Sequence, residues 1–199
     1  MKFSKVFDIF EKNYTLVPLE VFGKDPYKTL VSTVMSARTN DDTTLAASIR
    51  LFKIAKNIQG LHNTGETEIA KIIYPVGFYK TKAKHLKELA KIIVSKYNGV
   101  IPNTRDQLME LPGVGRKTAN LVLNRAFGQP AIAVDTHVHK IANILGWVKT
   151  NLPEETEKEL TKILPKKYWP VTNKLFVSIG RQYKTKNKIL DFLKINKLI

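Results

Sequence analysis

The chain of 199 residues contains no cysteine. That absence excludes disulfides, thiolate zinc sites and iron–sulfur clusters held by thiolates. Long apolar runs are missing too. No segment reaches the ~20 apolar residues that a membrane-spanning helix needs, so no membrane partner is expected. The start, Met1-Lys2-Phe3-Ser4-Lys5-Val6-Phe7-Asp8-Ile9-Phe10, does not read as a signal peptide, because charges interrupt its apolar residues. An intracellular protein, in cytoplasm or nucleoid, is the expectation, and a monomer. Sustained period-two alternation is lacking, which leaves little from which to build a sheet. Metal ligands are sparse. His137 and His139 stand two apart, too close to share one helix face, and no third ligand accompanies them, so no metal is expected.

Acidic residues are scarce as well: 17 against 33 lysines and arginines, for a net charge of +16. That balance favours a polyanionic partner. The basic residues are spread over many segments rather than gathered on one amphipathic helix, which favours nucleic acid over a membrane surface. The lysines of the C-terminal third read individually as a solvated face, and as a group they can speed encounter with DNA.

What is present is helical periodicity. Apolar residues recur at helical spacing over 3–14, 27–37, 42–57, 66–74, 80–97, 104–110, 116–127, 136–146, 153–164, 168–183 and 188–197. Phe3, Val6, Phe7 and Phe10 share one face of the first. Asp42-Thr43-Thr44 can cap the third helix, and Thr104 the short one that runs into Leu111. Gly146 suits a left-handed C-terminal position, and Pro153 a first turn, with Glu154 and Glu155 at the positive end of the dipole. Ile132-Ala133-Val134 reads as an extended crossing. The expected class is all-α.

Between two of these helices lies Leu111-Pro112-Gly113-Val114-Gly115-Arg116-Lys117-Thr118. Gly113 and Gly115 allow positive φ angles, and their bare backbone lets N–H groups approach a phosphate at the start of the next helix. Carbonyls of the same turn suit a monovalent cation bridging to that phosphate. A plain helix corner would need less than this full run with its basic continuation. It is not a nucleotide P-loop, because Arg116 separates Gly115 from Lys117 and the first glycine is missing. Nor is it a dinucleotide fingerprint, which needs a third glycine and a preceding strand.

Lys117 is the candidate nucleophile. An amine attacks a sugar carbon only when neutral, and a first-turn position, a neighbouring Arg116 and partial burial each disfavour the ammonium. A neutral Lys117 could displace a damaged base at C1′ and form a Schiff base, from which β-elimination nicks the strand. A phosphate salt bridge is the simpler alternative. Asp135, after an apolar run and before a helix, can stabilise the cationic sugar or move a proton. It is equally a favoured N-cap.

These motifs resemble those of the endonuclease III family, within the helix-hairpin-helix DNA glycosylases. The resemblance runs over about residues 25 to 183. It rests on Leu-Val-Ser-Thr-Val-Met-Ser-Ala-Arg-Thr-Asn-Asp (30–41), Gly-Phe-Tyr-Lys-Thr-Lys-Ala (77–83), Leu-Pro-Gly-Val-Gly-Arg-Lys-Thr-Ala-Asn (111–120) and Ala-Val-Asp-Thr-His (133–137). It implies a two-lobed fold with a central cleft for DNA: a six-helix lobe over 24–129, with the helix-hairpin-helix at about 104–127, and a second lobe from 1–23 plus 130–199. It implies Lys117 as Schiff-base nucleophile and Asp135 as its carboxylate partner. The implied DNA-binding residues are Arg38, Phe78, Leu111, Gly113, Val114, Gly115, Arg116 and Thr118. Phe78, which the residue pattern alone assigns to the core, matches the wedge that enters the duplex beside the lesion. Arg38 matches a position, usually glutamine, that fills the space of the everted nucleotide. Asp41 and His137 match positions near the pocket.

The implied activity is that of a bifunctional glycosylase and AP lyase for oxidised or ring-saturated pyrimidines in duplex DNA carrying a damaged base or abasic site. No cofactor is expected. The rivals are a thymine or uracil glycosylase for guanine mismatches, an abasic-site lyase, and a non-catalytic helix-hairpin-helix DNA-binding protein. One departure stands out. Many members end in a four-cysteine loop around an iron–sulfur cluster, whereas here Gly180-Arg181-Gln182-Tyr183 leads into a lysine-rich segment and an apolar terminal helix. Packing by Ile189, Leu190, Phe192, Leu193 and Leu198 is expected to fasten that tail in place of a cluster.

Overall fold

The computed structural model describes residues 3–199, so Met1 and Lys2, where the signal-peptide reading begins, lie outside the described residues. Helices account for every regular element among them, with no strand. The chain forms two compact units. One is continuous, Pro18–Gln129; the other joins the N-terminal segment as far as Val17 to Pro130–Ile199.

The continuous unit contains α2 (Pro26–Ser36), α3 (Asp41–Ile54), α4 (Ile58–Asn63), α5 (Glu66–Ile73), α6 (Tyr79–Lys96), α7 (Arg105–Met109) and α8 (Arg116–Phe127), after a single 3-10 turn at Pro18–Phe22. Its core is built from Leu30 and Met35 of α2, Leu51 of α3, Leu61 of α4, Ile69 and Ile73 of α5, Leu86, Leu89 and Ile93 of α6, and Leu108 of α7, all fully buried.

Two local expectations need correction here. The cap of α3 is Asn40, whose Oδ1 accepts from the Asp42 N–H at 2.8 Å. Asp41 and Asp42 instead occupy the first turn, where their charge meets the dipole. The helix expected over 42–57 stops at Ile54. Asn57 then caps α4, accepting from the Gly60 N–H at 2.8 Å, and α4 turns Ile58 and Leu61 inward. The apolar periodicity runs through this break, so only the competing Asn cap marks it.

The discontinuous unit contains α1 (Phe3–Lys12), α9 (Thr136–Ile144), α10 (Pro153–Ile163), α11 (Trp169–Gln182) and α12 (Lys186–Ile195). Val6, Phe7 and Phe10 of α1 are buried as their spacing requires. Phe7 stacks on Tyr168 with ring centroids 4.2 Å apart, and Phe10 meets Phe176 edge-on at 5.0 Å. Ile132 and Val134 cross this core without forming a strand, and Asn173 Nδ2 donates to the Ala133 carbonyl at 3.0 Å to hold the crossing. Gly146 takes φ 67°, and Pro153 opens α10 with Glu155 accepting from the Leu152 N–H.

The terminal helix is anchored by apolar contact. Ile189, Phe192 and Leu193 lie in the same core as Phe7 and Phe10, and Phe192 stacks on Tyr183 at 4.5 Å. Leu198 packs against that core only in part, and Leu190 is half-buried. Lys5 Nζ donates to the Lys197 carbonyl at 2.8 Å, tying α1 to the tail.

Candidate active site

The hairpin between α7 and α8 is pinned from inside. Leu111 and Val114 are buried, and the Val114 N–H donates to the Leu111 carbonyl at 3.0 Å. Whatever these two residues offer a ligand is therefore main chain. Gly113 has φ 78°, and a Cβ there would lie 2.9 Å from His85 Nδ1, so α6 approaches this turn closely. Gly115 departs from expectation. Its φ of −92° and ψ of 178° are open to any residue, and a Cβ there would meet nothing within 4 Å. No internal contact demands this glycine. What it does is leave the approach to α8 bare: Gly115 is the N-cap, and no side chain caps the helix. The first-turn N–H groups of a helix have no intrahelical acceptors, so this end suits an anion.

The two glycines should thus respond differently to alanine. Gly113→Ala forces an L residue into left-handed backbone, costing about 1–2 kcal/mol before the His85 clash is counted. Gly115→Ala should change the melting temperature little, because the unfolded-chain entropy it removes is offset by alanine's poorer fit at an N-cap. It should nonetheless weaken DNA binding by at least about tenfold, the worth of one charge-assisted hydrogen bond. Thermal melts and gel-shift titrations of both variants check this; a Gly115→Ala protein with parental affinity would refute it.

Arg116 and Lys117 are the first two residues of α8, and both are exposed; Thr118 is half-buried. The partial burial expected for Lys117 is not found: its side chain stands in the open, in the first turn at the bare helix end. In the other unit, Asp135 is the N-cap of α9. Its Oδ1 accepts from the N–H groups of His137 and Val138, both at 2.9 Å. Both capping bonds go to one oxygen, so the carboxylate is aimed by the helix while Oδ2 takes no part in the cap. Capping and chemistry are compatible in a single residue.

His137 lies half-buried against α11. A Cβ at Gly180 would fall 2.1 Å from its Nδ1, so only glycine admits the ring, and this packing fixes the turn that follows Asp135. The sequence signal for Gly180 is a glycine inside an otherwise apolar helix. Asp41 stands half-buried in the first turn of α3.

Arg38 and Phe78 are brought together. Phe78 is 63% exposed, which removes it from the core to which the residue pattern alone assigned it. The Arg38 guanidinium lies 5.9 Å from the centroid of its ring. Both residues have positive φ, 52° and 57°. Such backbone is costly away from glycine and persists only where the surroundings over-determine it. Among the described residues, no group of three histidine, cysteine or carboxylate side chains could hold a metal ion. Nor is any helix among the described residues long and apolar enough to cross a membrane.

Comparison with known proteins identifies the family and the fold. Residues 31–166 match the family model described as HhH-GPD superfamily base excision DNA repair protein. Endonuclease III of Thermotoga maritima is 47% identical over 158 residues, covering 79% of this chain and 74% of that one. The solved structure of a trapped endonuclease III–DNA covalent intermediate, an estranged-adenine complex, superposes with a TM-score of 0.82 at 35% identity, covering 92% of this chain and 84% of the other. A thermostable thymine-DNA glycosylase superposes with a TM-score of 0.79 at 25% identity, over 93% of this chain and 87% of the other.

Proposed function

This chain belongs to the HhH-GPD superfamily of base excision DNA repair proteins, and from that premise we propose how its residues divide the work. It is a DNA N-glycosylase with AP lyase activity, acting on duplex DNA that contains a damaged base or an abasic site. The hairpin and the bare end of α8 hold a backbone phosphate through main-chain N–H groups. The target nucleotide leaves the stack, which costs least where pairing is already weakened. The Lys117 amine attacks C1′; the glycosidic bond breaks and the base departs with its electron pair and gains a proton. The amine then loses a proton, the C1′–O4′ bond breaks with O4′ taking up a proton, and the opened sugar is left as a protonated Schiff base. Removal of a proton from C2′ then expels the 3′ phosphate by β-elimination, and water later releases Lys117. The Asp135 carboxylate stabilises the cationic sugar or carries one of these protons. Oxidised or ring-saturated pyrimidines are the substrates.

The observation that carries this reading is an exposed lysine in the uncapped first turn of α8, directly after a glycine that no internal contact requires. Binding alone needs no lysine there and no carboxylate like Asp135. No organic cofactor or redox metal takes part in these steps. A four-cysteine iron–sulfur cluster does not fit this chain, which supplies no thiolate. A monovalent cation bridging hairpin carbonyls to the phosphate belongs to the same proposal.

Arg38 favours one competing substrate class, thymine or uracil opposite guanine, since an arginine can donate to an orphaned guanine at O6 and N7. A panel of duplexes separates the two: one set with ring-saturated and oxidised pyrimidines, one with guanine mismatches, one abasic. Base release and strand nicking on the first and third sets are expected. Release confined to the mismatches would favour the competing class, and nicking of abasic duplexes alone would reduce the activity to a lyase.

A further inference from the structure

The backbone of Arg38 and Phe78 is strained at both residues, yet their side chains project from two separate loops as a pair. Something must hold those loops. The structure assigns that task to Lys82. Its side chain is buried, and Nζ donates three hydrogen bonds: to the carbonyls of Met35 at 2.6 Å and Ala37 at 2.5 Å, and to Thr39 Oγ1 at 2.9 Å. Ala37 and Thr39 flank Arg38. The ammonium therefore grips the chain on both sides of Arg38 and satisfies carbonyls at the C-terminal end of α2, where a cation is favoured.

The same lysine reaches the second loop by two routes. Its own N–H donates to the Phe78 carbonyl at 3.0 Å, in the first turn of α6. Thr39 Oγ1, which it holds, accepts from the Gly77 N–H at 3.1 Å. Gly77 is needed for that approach, because a Cβ there would lie 2.8 Å from the Arg38 carbonyl oxygen. Burial pushes the Lys82 ammonium down to about 8, so the grip is still charged at neutral pH.

We propose that Lys82 is a positioning residue for entry into the duplex: it binds the Arg38 and Phe78 loops into one rigid two-pronged probe, whose preset shape lowers the cost of displacing the damaged nucleotide. The inference rests on the reading that these two side chains enter the DNA. It concerns how the substrate is opened, not how the bond is broken. A loosened probe should slow eversion while leaving the Schiff-base chemistry of Lys117 intact on a strand that needs no opening.

The test places a fluorescent adenine analogue beside a ring-saturated pyrimidine and follows its unstacking on mixing with the full chain, alongside single-turnover base release. Lys82→Met should lose most of the fluorescence rise and slow base release by about tenfold or more, the scale expected for a misplaced positioning group. Borohydride trapping on an abasic site in single-stranded DNA should stay close to the parental yield. Phe78→Ala serves as reference and should abolish the fluorescence rise. If Phe78→Ala abolishes it while Lys82→Met does not, Lys82 has no positioning role although the wedge reading stands. If Phe78→Ala leaves the signal intact, the wedge reading itself falls, and this proposal with it. If Lys82→Met loses single-strand trapping to the same degree as base release, its effect is a general loss of structure and the proposal is overturned. Should Lys82→Met not fold, Thr39→Val removes the shared hydroxyl at a half-buried position; it should show the same pattern more weakly, and a parental signal would overturn the proposal.

Discussion

Asp135→Asn should cut single-turnover base release from a ring-saturated pyrimidine duplex by at least about a hundredfold, the usual scale for losing a positioned acid–base group. Its melting temperature should barely move. Asparagine caps a helix about as well as aspartate, and the two N–H groups of His137 and Val138 need only one oxygen acceptor. The substitution therefore removes the charge and keeps the cap. Asp135→Ala removes both and should cost about a further 1 kcal/mol of stability. The pair of variants separates the two roles. If Asp135 served only to start α9, the asparagine variant would retain parental activity and the alanine variant would lose activity only in step with its stability. Single-turnover kinetics and thermal melts on the same samples decide it.

Deleting residues 185–199 should unfold the discontinuous unit. The segment removes α12, whose Ile189, Phe192 and Leu193 are buried in the core shared with α1 and α11. Each such side chain contributes about 1.5–3 kcal/mol on burial, so the three together approach the roughly 5–15 kcal/mol by which a domain is stable. With no cysteine available, apolar packing and the Lys5–Lys197 hydrogen bond fasten this region. The deletion also removes Lys186, Lys188, Lys194 and Lys197, so DNA affinity should fall and its salt dependence flatten. Calorimetry should show one cooperative transition lost or strongly lowered. An unchanged melting profile would show that the tail is an appendage and that stability resides elsewhere.

Much of the fold is legible in periodicity. The spacing of Phe3, Val6, Phe7 and Phe10 announces the buried face of α1, and the apolar stripe of Leu86, Leu89 and Ile93 announces α6. What periodicity cannot register is a break inside a continuous apolar pattern. Asn57 ends one helix and starts another by a single side-chain bond, and the pattern over 42–57 carries no trace of it. Thr43 and Thr44 look as good a cap as Asn40 until the bond to Asp42 is seen.

The candidate site is legible where its residues sit in a short run and obscure where it depends on two loops meeting. Lys117 and Asp135 stand out because a lysine after Gly-x-Gly and an aspartate before a helix are local features. Gly115 differs from expectation for an instructive reason: its backbone does not require glycine, and a sequence does not distinguish a glycine needed by its own backbone from one left bare. The Arg38–Phe78 pair could not be foreseen from residue pattern, because positive φ at two non-glycine residues has no composition signal. Lys82 had a faint one. It stands at the head of the stripe Leu86, Leu89, Ile93, on the inward face, where an unpaired lysine does not belong.

Lys117 is the proposed nucleophile on which the rest depends, and its covalent capture is the direct measurement. Sodium borohydride added during reaction with a duplex containing a ring-saturated pyrimidine should reduce the Schiff base to a stable protein–DNA adduct, with peptide mapping placing the link on Lys117. Lys117→Gln should bind the same duplex and give no adduct. An undiminished adduct with Lys117→Gln, or a map that places the link on another residue, would contradict the mechanism.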